Sequence, residues 1–138
     1  MENRPYIYLG FNLWKAALEK KRQEVLRELR IDIPQFSYDA NDMVLSMVIR
    51  VEIDYSESKD NKLLYITGFQ INDDELKRDL SLDDKKNEYI PLFVRIVFPF
   101  IRENVATITK DTGNPIMLPI IDCQELSYDT VLVLEAKE

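Results

Sequence analysis

The reactive inventory of this chain is thin. Of its 138 residues one is a cysteine, Cys123, and none is a histidine. Histidine is the commonest general base and zinc ligand, so its absence removes Ser-His and Cys-His nucleophile pairs together. Without such a partner Cys123 reads as a small hydrophobe, and it has no second thiol for an internal disulfide. Oxygen ligands alternate along Asp54-Tyr-Ser56-Glu-Ser58-Lys-Asp60, superficially like a calcium loop. The sixth position is Lys59, where the sharp turn needs glycine, and the twelfth is Tyr65, where a bidentate glutamate should close the shell. A solvated hairpin loop is the better reading. Asp73, Asp74 and Glu75, with Asp83 and Asp84, could pair carboxylates, but charge runs of this kind are ordinarily just solvated. Gly10, Gly68 and Gly113 are too far apart for a phosphate-cradling Gly-rich pattern. The expectation is a binding protein and not an enzyme, with no metal and no cofactor.

What remains is apolar surface, and the elements that would present it. The length suits one domain over residues 1–138, and 46% apolar with 31% charged residues suits a folded globule. A net charge of −7, with the basic residues dispersed, would repel phosphate backbones and excludes nucleic acid as a partner. Met1 to Leu9 has neither a basic leader nor a long apolar core, which points to the cytoplasm. The run Ile90 to Ile101 is interrupted by Arg95 and falls well short of the roughly 20 residues a membrane span needs.

Tyr6 to Leu13 reads as a strand that bends or bulges at Gly10. Trp14, Leu18, Val25 and Leu29 have a helical spacing, yet Leu29, Ile31 and Ile33 alternate with Arg30 and Asp32. A polar connection leading to a strand that ends near Pro34 is expected. Met43 to Tyr55 is the clearest strand, its odd-numbered residues apolar and Ser46, Arg50, Glu52 and Asp54 polar. A polar loop over residues 56–62 joins it to Leu63 to Ile71 as a hairpin. Asn72 to Asn87 reads as a mobile acidic connection.

From Tyr89 onward, Ile90, Val94, Val97, Ile101, Val105 and Ile108 recur every three or four residues, predicting a helix of about five turns. Pro91 falls in its first turn and Pro99 in its middle, where a bend near Arg95 to Phe98 is expected. Gly113 and Pro115 should end it, and Pro115 to Ile121 should run extended. Tyr128 to Leu134 reads as a short strand.

Phe98-Pro-Phe-Ile-Arg-Glu103, followed by Gly113-Asn-Pro115, resembles the helix signature of the SecB family of protein-export chaperones. The resemblance implies an α+β fold in which an antiparallel four-stranded sheet is backed by a long kinked C-terminal helix, assembling as a homodimer or as a homotetramer, a dimer of dimers. It implies an ATP-independent holdase that binds non-native polypeptides in apolar grooves and hands them to a translocase motor ATPase. On that basis Phe98, Phe100, Met117, Leu118, Ile120 and Ile121 are the candidate peptide-binding residues, each equally able to be core. The chain departs from the family after Pro115, where Met117-Leu-Pro-Ile-Ile-Asp122 replaces a longer loop ending in Pro-Val-Asn-Phe, and where a strand stands for the C-terminal helix. Two alternatives therefore stay open. One is a dedicated chaperone for a single client such as an antitoxin, without translocase delivery. The other is a structural module whose apolar face is consumed by subunit contacts.

Overall fold

A computed structural model describes residues 4–18, 26–56, 61–110, 115–119 and 131–135. Alternating side chains build a sheet from β1 (Tyr6–Ala17), β2 (Leu26–Asp39), β3 (Val44–Tyr55), β4 (Asn61–Ile71) and β5 (Leu132–Glu135). The strand order is β1-β4-β3-β2-β5, and every neighbouring pair is antiparallel. In β3 Leu45, Met47, Ile49, Val51, Ile53 and Tyr55 are buried with a period of two, and Arg50, Glu52 and Asp54 between them face the other side, where Val48 is buried as well. On that other side Arg50 Nε donates to Asp32 Oδ1 at 2.9 Å, pairing β3 with β2.

Five expectations are corrected, the last in the start of the long helix. The sheet has five strands, because the segment near Leu134 adds β5 to the outer edge of β2, with Leu29 opposite Leu134 and Ile31 opposite Leu132. Strand β1 runs on through Trp14 to Ala17, where a connection was expected; a second register shift, between Leu13 and Lys15, accommodates Trp14, which is 54% exposed. Strand β2 does not stop at Pro34 but continues to Asp39. The register shifts between Asp32 and Gln35, so that the imino residue sits in a bulge, and Phe36 turns inward. A proline that donates no ladder bond is tolerated at such a position.

The acidic stretch after β4 is the fourth correction. It holds a helix, α1 (Asp74–Leu80), and a 3-10 turn over Asp83–Lys85. The side chain of Asp73 accepts from the Leu76 N–H at 3.0 Å, a helix cap, while Leu76 and Leu80 bury one turn apart. Two leucines and one cap are enough to anchor a short helix whose remaining residues are solvated.

Helix α2 (Lys86–Thr109) covers one sheet face with Ile90, Phe93, Val94, Val97, Phe98, Ile101 and Val105. It begins three residues earlier than the periodicity suggested, so Pro91 lies past the first turn, and the helix is continuous across both prolines. Pro99 is exposed on the outer side, as is Arg95, whose carbonyl a proline four residues on leaves without its helical partner. Aromatic packing joins the layers, with the Phe69 and Phe93 ring centroids 4.7 Å apart and Tyr6 edge-on to Phe93 at 5.4 Å. Among the described residues no helix is long and apolar enough to cross a membrane.

Candidate functional site

The outward side of α2 follows from its period. Residues in an α-helix are about 100° apart, so Glu88, Leu92, Arg95, Pro99, Glu103, Ala106 and Lys110 fall on one stripe, opposite the buried set. Beside the C-terminal half of this stripe lies residues 115–119. Its exposure alternates: Ile116 is 5% and Leu118 1% exposed, both turned into the core, while Met117 between them is 68% exposed. Two hydrogen bonds seat this strap. The Ile116 N–H donates to Thr109 Oγ1 at 2.7 Å, and Arg102 Nε donates to the Leu118 carbonyl at 2.8 Å.

Between helix and strap is a groove of about 430 Å³, with Pro99, Ala106, Pro115 and Met117 as its apolar wall and Arg102, Glu103, Thr107 and Lys110 as its polar margin. A groove that is apolar along its length and charged at its margin accepts side chains from an extended polypeptide with little sequence demand. The unbranched thioether of Met117 adapts to varied neighbours. Among the described residues no group of histidine, cysteine or carboxylate side chains could hold a metal ion.

The sequence-derived candidates separate. Phe98, 4% exposed, and Leu118, 1% exposed, are core residues and as folded cannot meet a client. Met117 lines the groove. Phe100 is 45% exposed but lies on the far flank of α2, about 200° around the helix from Arg102, where it stacks on Tyr8 at 5.7 Å and Phe11 at 6.1 Å. Ile120 and Ile121, like Gly113 and Cys123, lie outside the described residues. Phe100 thus packs on β1 instead of standing beside Met117, on the flank of α2 that leads past Glu103 and Thr107 to the groove. Arg102, Ala106 and Lys110 were missed, because a search for apolar side chains passes over a stripe of charged and small ones. The signal was present as the three- and four-residue spacing from Pro99 to Lys110.

Burial and a carboxylate partner also mark the other end of α2. The Tyr89 hydroxyl donates to Asp79 on α1, and this bond is the main reason its pKa is pushed up to about 12. The contact fastens α1 to α2 and lies well away from the groove.

A twisted antiparallel sheet backed on one face by a single long helix, with a loop strapped beside the end of that helix, has the SecB-like α+β architecture. Among solved structures, a Mycobacterium tuberculosis protein matches it with a TM-score of 0.62 and 19% sequence identity, over 85% of this chain and 91% of that one. That protein is the Rv1957 SecB-like chaperone, solved in complex with a ChAD peptide from the Rv1956 HigA1 antitoxin. At this identity the likeness speaks for the fold. No protein-family model and no curated protein matches the sequence.

Proposed function

We propose that this protein is a cytoplasmic, non-enzymatic holdase chaperone that binds extended, non-native polypeptide without ATP, in the groove between α2 and residues 115–119. The observation that carries the reading is the 68% exposed Met117, held at the wall of an apolar groove by two neighbours buried in the core. The fold likeness to a SecB-like chaperone that holds an antitoxin peptide supports a polypeptide ligand, and favours a dedicated client of that kind over general export. Handover to a translocase motor ATPase is a separable extension. Incubating a permanently unfolded polypeptide with the protein, and recovering partners that co-purify from its native cell, tests the two versions. Absence of both in vitro binding and a co-purified client defeats the proposal.

A second reading rests on the charge order of the outward stripe. Arg95 and Glu103 are equally spaced about Pro99, as are Glu88 and Lys110, and Leu92 and Ala106. Two copies packed antiparallel about a two-fold axis at Pro99 would set Arg95 against the partner copy's Glu103 on either side of the axis, with Leu92 against Ala106 and Glu88 against Lys110 further out. Among the described residues strand β1 has β4 as its one neighbour in the sheet, which leaves its other edge for a second contact. In this reading the chain is a homodimer or homotetramer whose α2 stripe is consumed by a subunit. Light scattering of Arg95→Glu and of the double swap Arg95→Glu with Glu103→Arg decides it: the single change should dissociate the assembly and the swap restore it.

A further inference from the structure

The strap at residues 115–119 follows α2 with no secondary-structure ladder of its own. Its seat is made by two side chains from α2, and these are of different kinds. Thr109 is fully buried, and its hydroxyl is used in both directions: it donates to the Val105 carbonyl at 2.7 Å and accepts from the Ile116 N–H at 2.7 Å. With its proton committed to the helix, the oxygen presents a lone pair to the strap. Arg102 is half-buried, and its Nε–H reaches the Leu118 carbonyl two residues further along. Between these two points Ile116 and Leu118 are turned inward, and the alternation of an extended chain leaves Met117 no direction but outward. Pro115 and Pro119 are the two ends of the strap and restrict its backbone.

We infer that Arg102 and Thr109 are positioning residues of the groove, which clamp residues 115–119 against α2 so that Met117 is presented as a preformed wall. This rests on the chaperone reading and adds to it the means by which the groove is kept open and shaped before a client arrives. A wall already ordered loses little conformational freedom on binding, and that saving appears as affinity. Both anchors act on the same five residues, so releasing either one should free the same wall.

The test uses the full chain and reduced, carboxymethylated α-lactalbumin as a permanently unfolded client, with dissociation constants read by fluorescence anisotropy. Thr109→Val and Arg102→Gln should each weaken binding about tenfold, the change expected when one such hydrogen bond is lost. Thr109→Ser should restore wild-type affinity. The double variant should bind scarcely worse than either single one, since both act through one segment. Amide exchange at Ile116 and Met117 should rise in both single variants, while the amides of β3 stay protected.

If wild type binds and the variants bind equally well, the clamp is overturned and the chaperone reading stands. A lowered melting temperature with unchanged affinity would mark both bonds as structural only, and also overturns it. Should wild type bind neither this client nor any partner that co-purifies from its native cell, the chaperone reading falls and takes this inference with it; if it binds only a co-purified partner, the same variants are read against that partner. If Thr109→Val does not fold, Arg102→Gln supplies the answer through amide exchange: because Arg102 also lines the groove, weaker binding with unchanged exchange at Ile116 and Met117 overturns the clamp.

Discussion

The hydroxyl of Tyr65 on β4 donates to Oδ1 of Asn104 on α2 at 2.8 Å, joining residues 39 positions apart. Tyr65 is fully buried, and burial drives its hydroxyl above the usual tyrosine range. Tyr65→Phe keeps the ring in the core and strands the amide oxygen. A loss of about 1–2 kcal/mol in urea-unfolding free energy is expected, in line with a buried polar group left unsatisfied. An unchanged midpoint would mean that water replaces the bond at no cost.

The Tyr89 hydroxyl, raised chiefly by its bond to Asp79, gives the fold an alkaline limit. The ordinary value is 10.0 and the folded value about 12, so the neutral form is favoured by folding. The stabilisation is complete below pH 10 and is lost as pH rises from there through 12. Thermal melts across that window should fall more steeply for wild type than for Tyr89→Phe. Parallel curves would remove the α1 to α2 contact from the stability balance.

Gly10 and Gly68 face each other across β1 and β4 and should respond in opposite ways to alanine. Gly10 has φ +113°, and a Cβ there would meet nothing within 4 Å, so the cost is purely that of the backbone. Gly10→Ala should lose about 1–2 kcal/mol, the penalty of a left-handed conformation. In Gly68→Ala the new methyl would rest 3.8 Å from Leu9 Cβ, an ordinary contact. Replacing a strand glycine there should be neutral or gain up to about 0.5–1 kcal/mol. Equal losses in the two variants, measured by urea unfolding, would count against the bulge at Gly10 as the reason for glycine.

Phe98, Phe100 and Met117 separate core from surface in one experiment. Phe98→Ala empties a site that is 4% exposed and should cost about 3–5 kcal/mol. Phe100→Ala removes ring contacts with Tyr8 and Phe11 and should cost about 1 kcal/mol, leaving client affinity in the helix and strap groove unchanged. Met117→Glu should do the reverse, leaving the melting temperature in place and weakening the client complex severalfold. Client affinity that tracks Phe100 and ignores Met117 would move the binding surface to the β1 flank of α2.

The fold was largely legible where one residue type repeats with one period. Alternation from Leu45 to Tyr55 and from Leu63 to Ile71 reports strands because each strand turns one face fully into the core, and the spacing from Ile90 to Val105 reports a helix with one dry stripe. Where the pattern is broken by a local exception, reading failed. Pro34 and Trp14 look like strand ends, but register shifts carry β2 past one and β1 past the other. The short α1 was hidden because its two buried leucines are outnumbered by charges, and only the Asp73 cap distinguished it from a loop.

The sequence by itself determined that this is an α+β chain without histidine-based chemistry, and it located the apolar helix and the extended segment after Pro115, because periodicity and composition are local properties. Only the tertiary structure decided which apolar side chains are spent and which are left over. Phe98 and Phe100 are alike in sequence and two residues apart, yet one is sealed beneath α2 and the other stacks on β1. Met117 is a groove wall because Thr109 and Arg102, on another element, hold the residues beside it. Exposure is set by what lies across the core from a residue, and a neighbour brought close only by folding leaves no mark in the spacing of the chain.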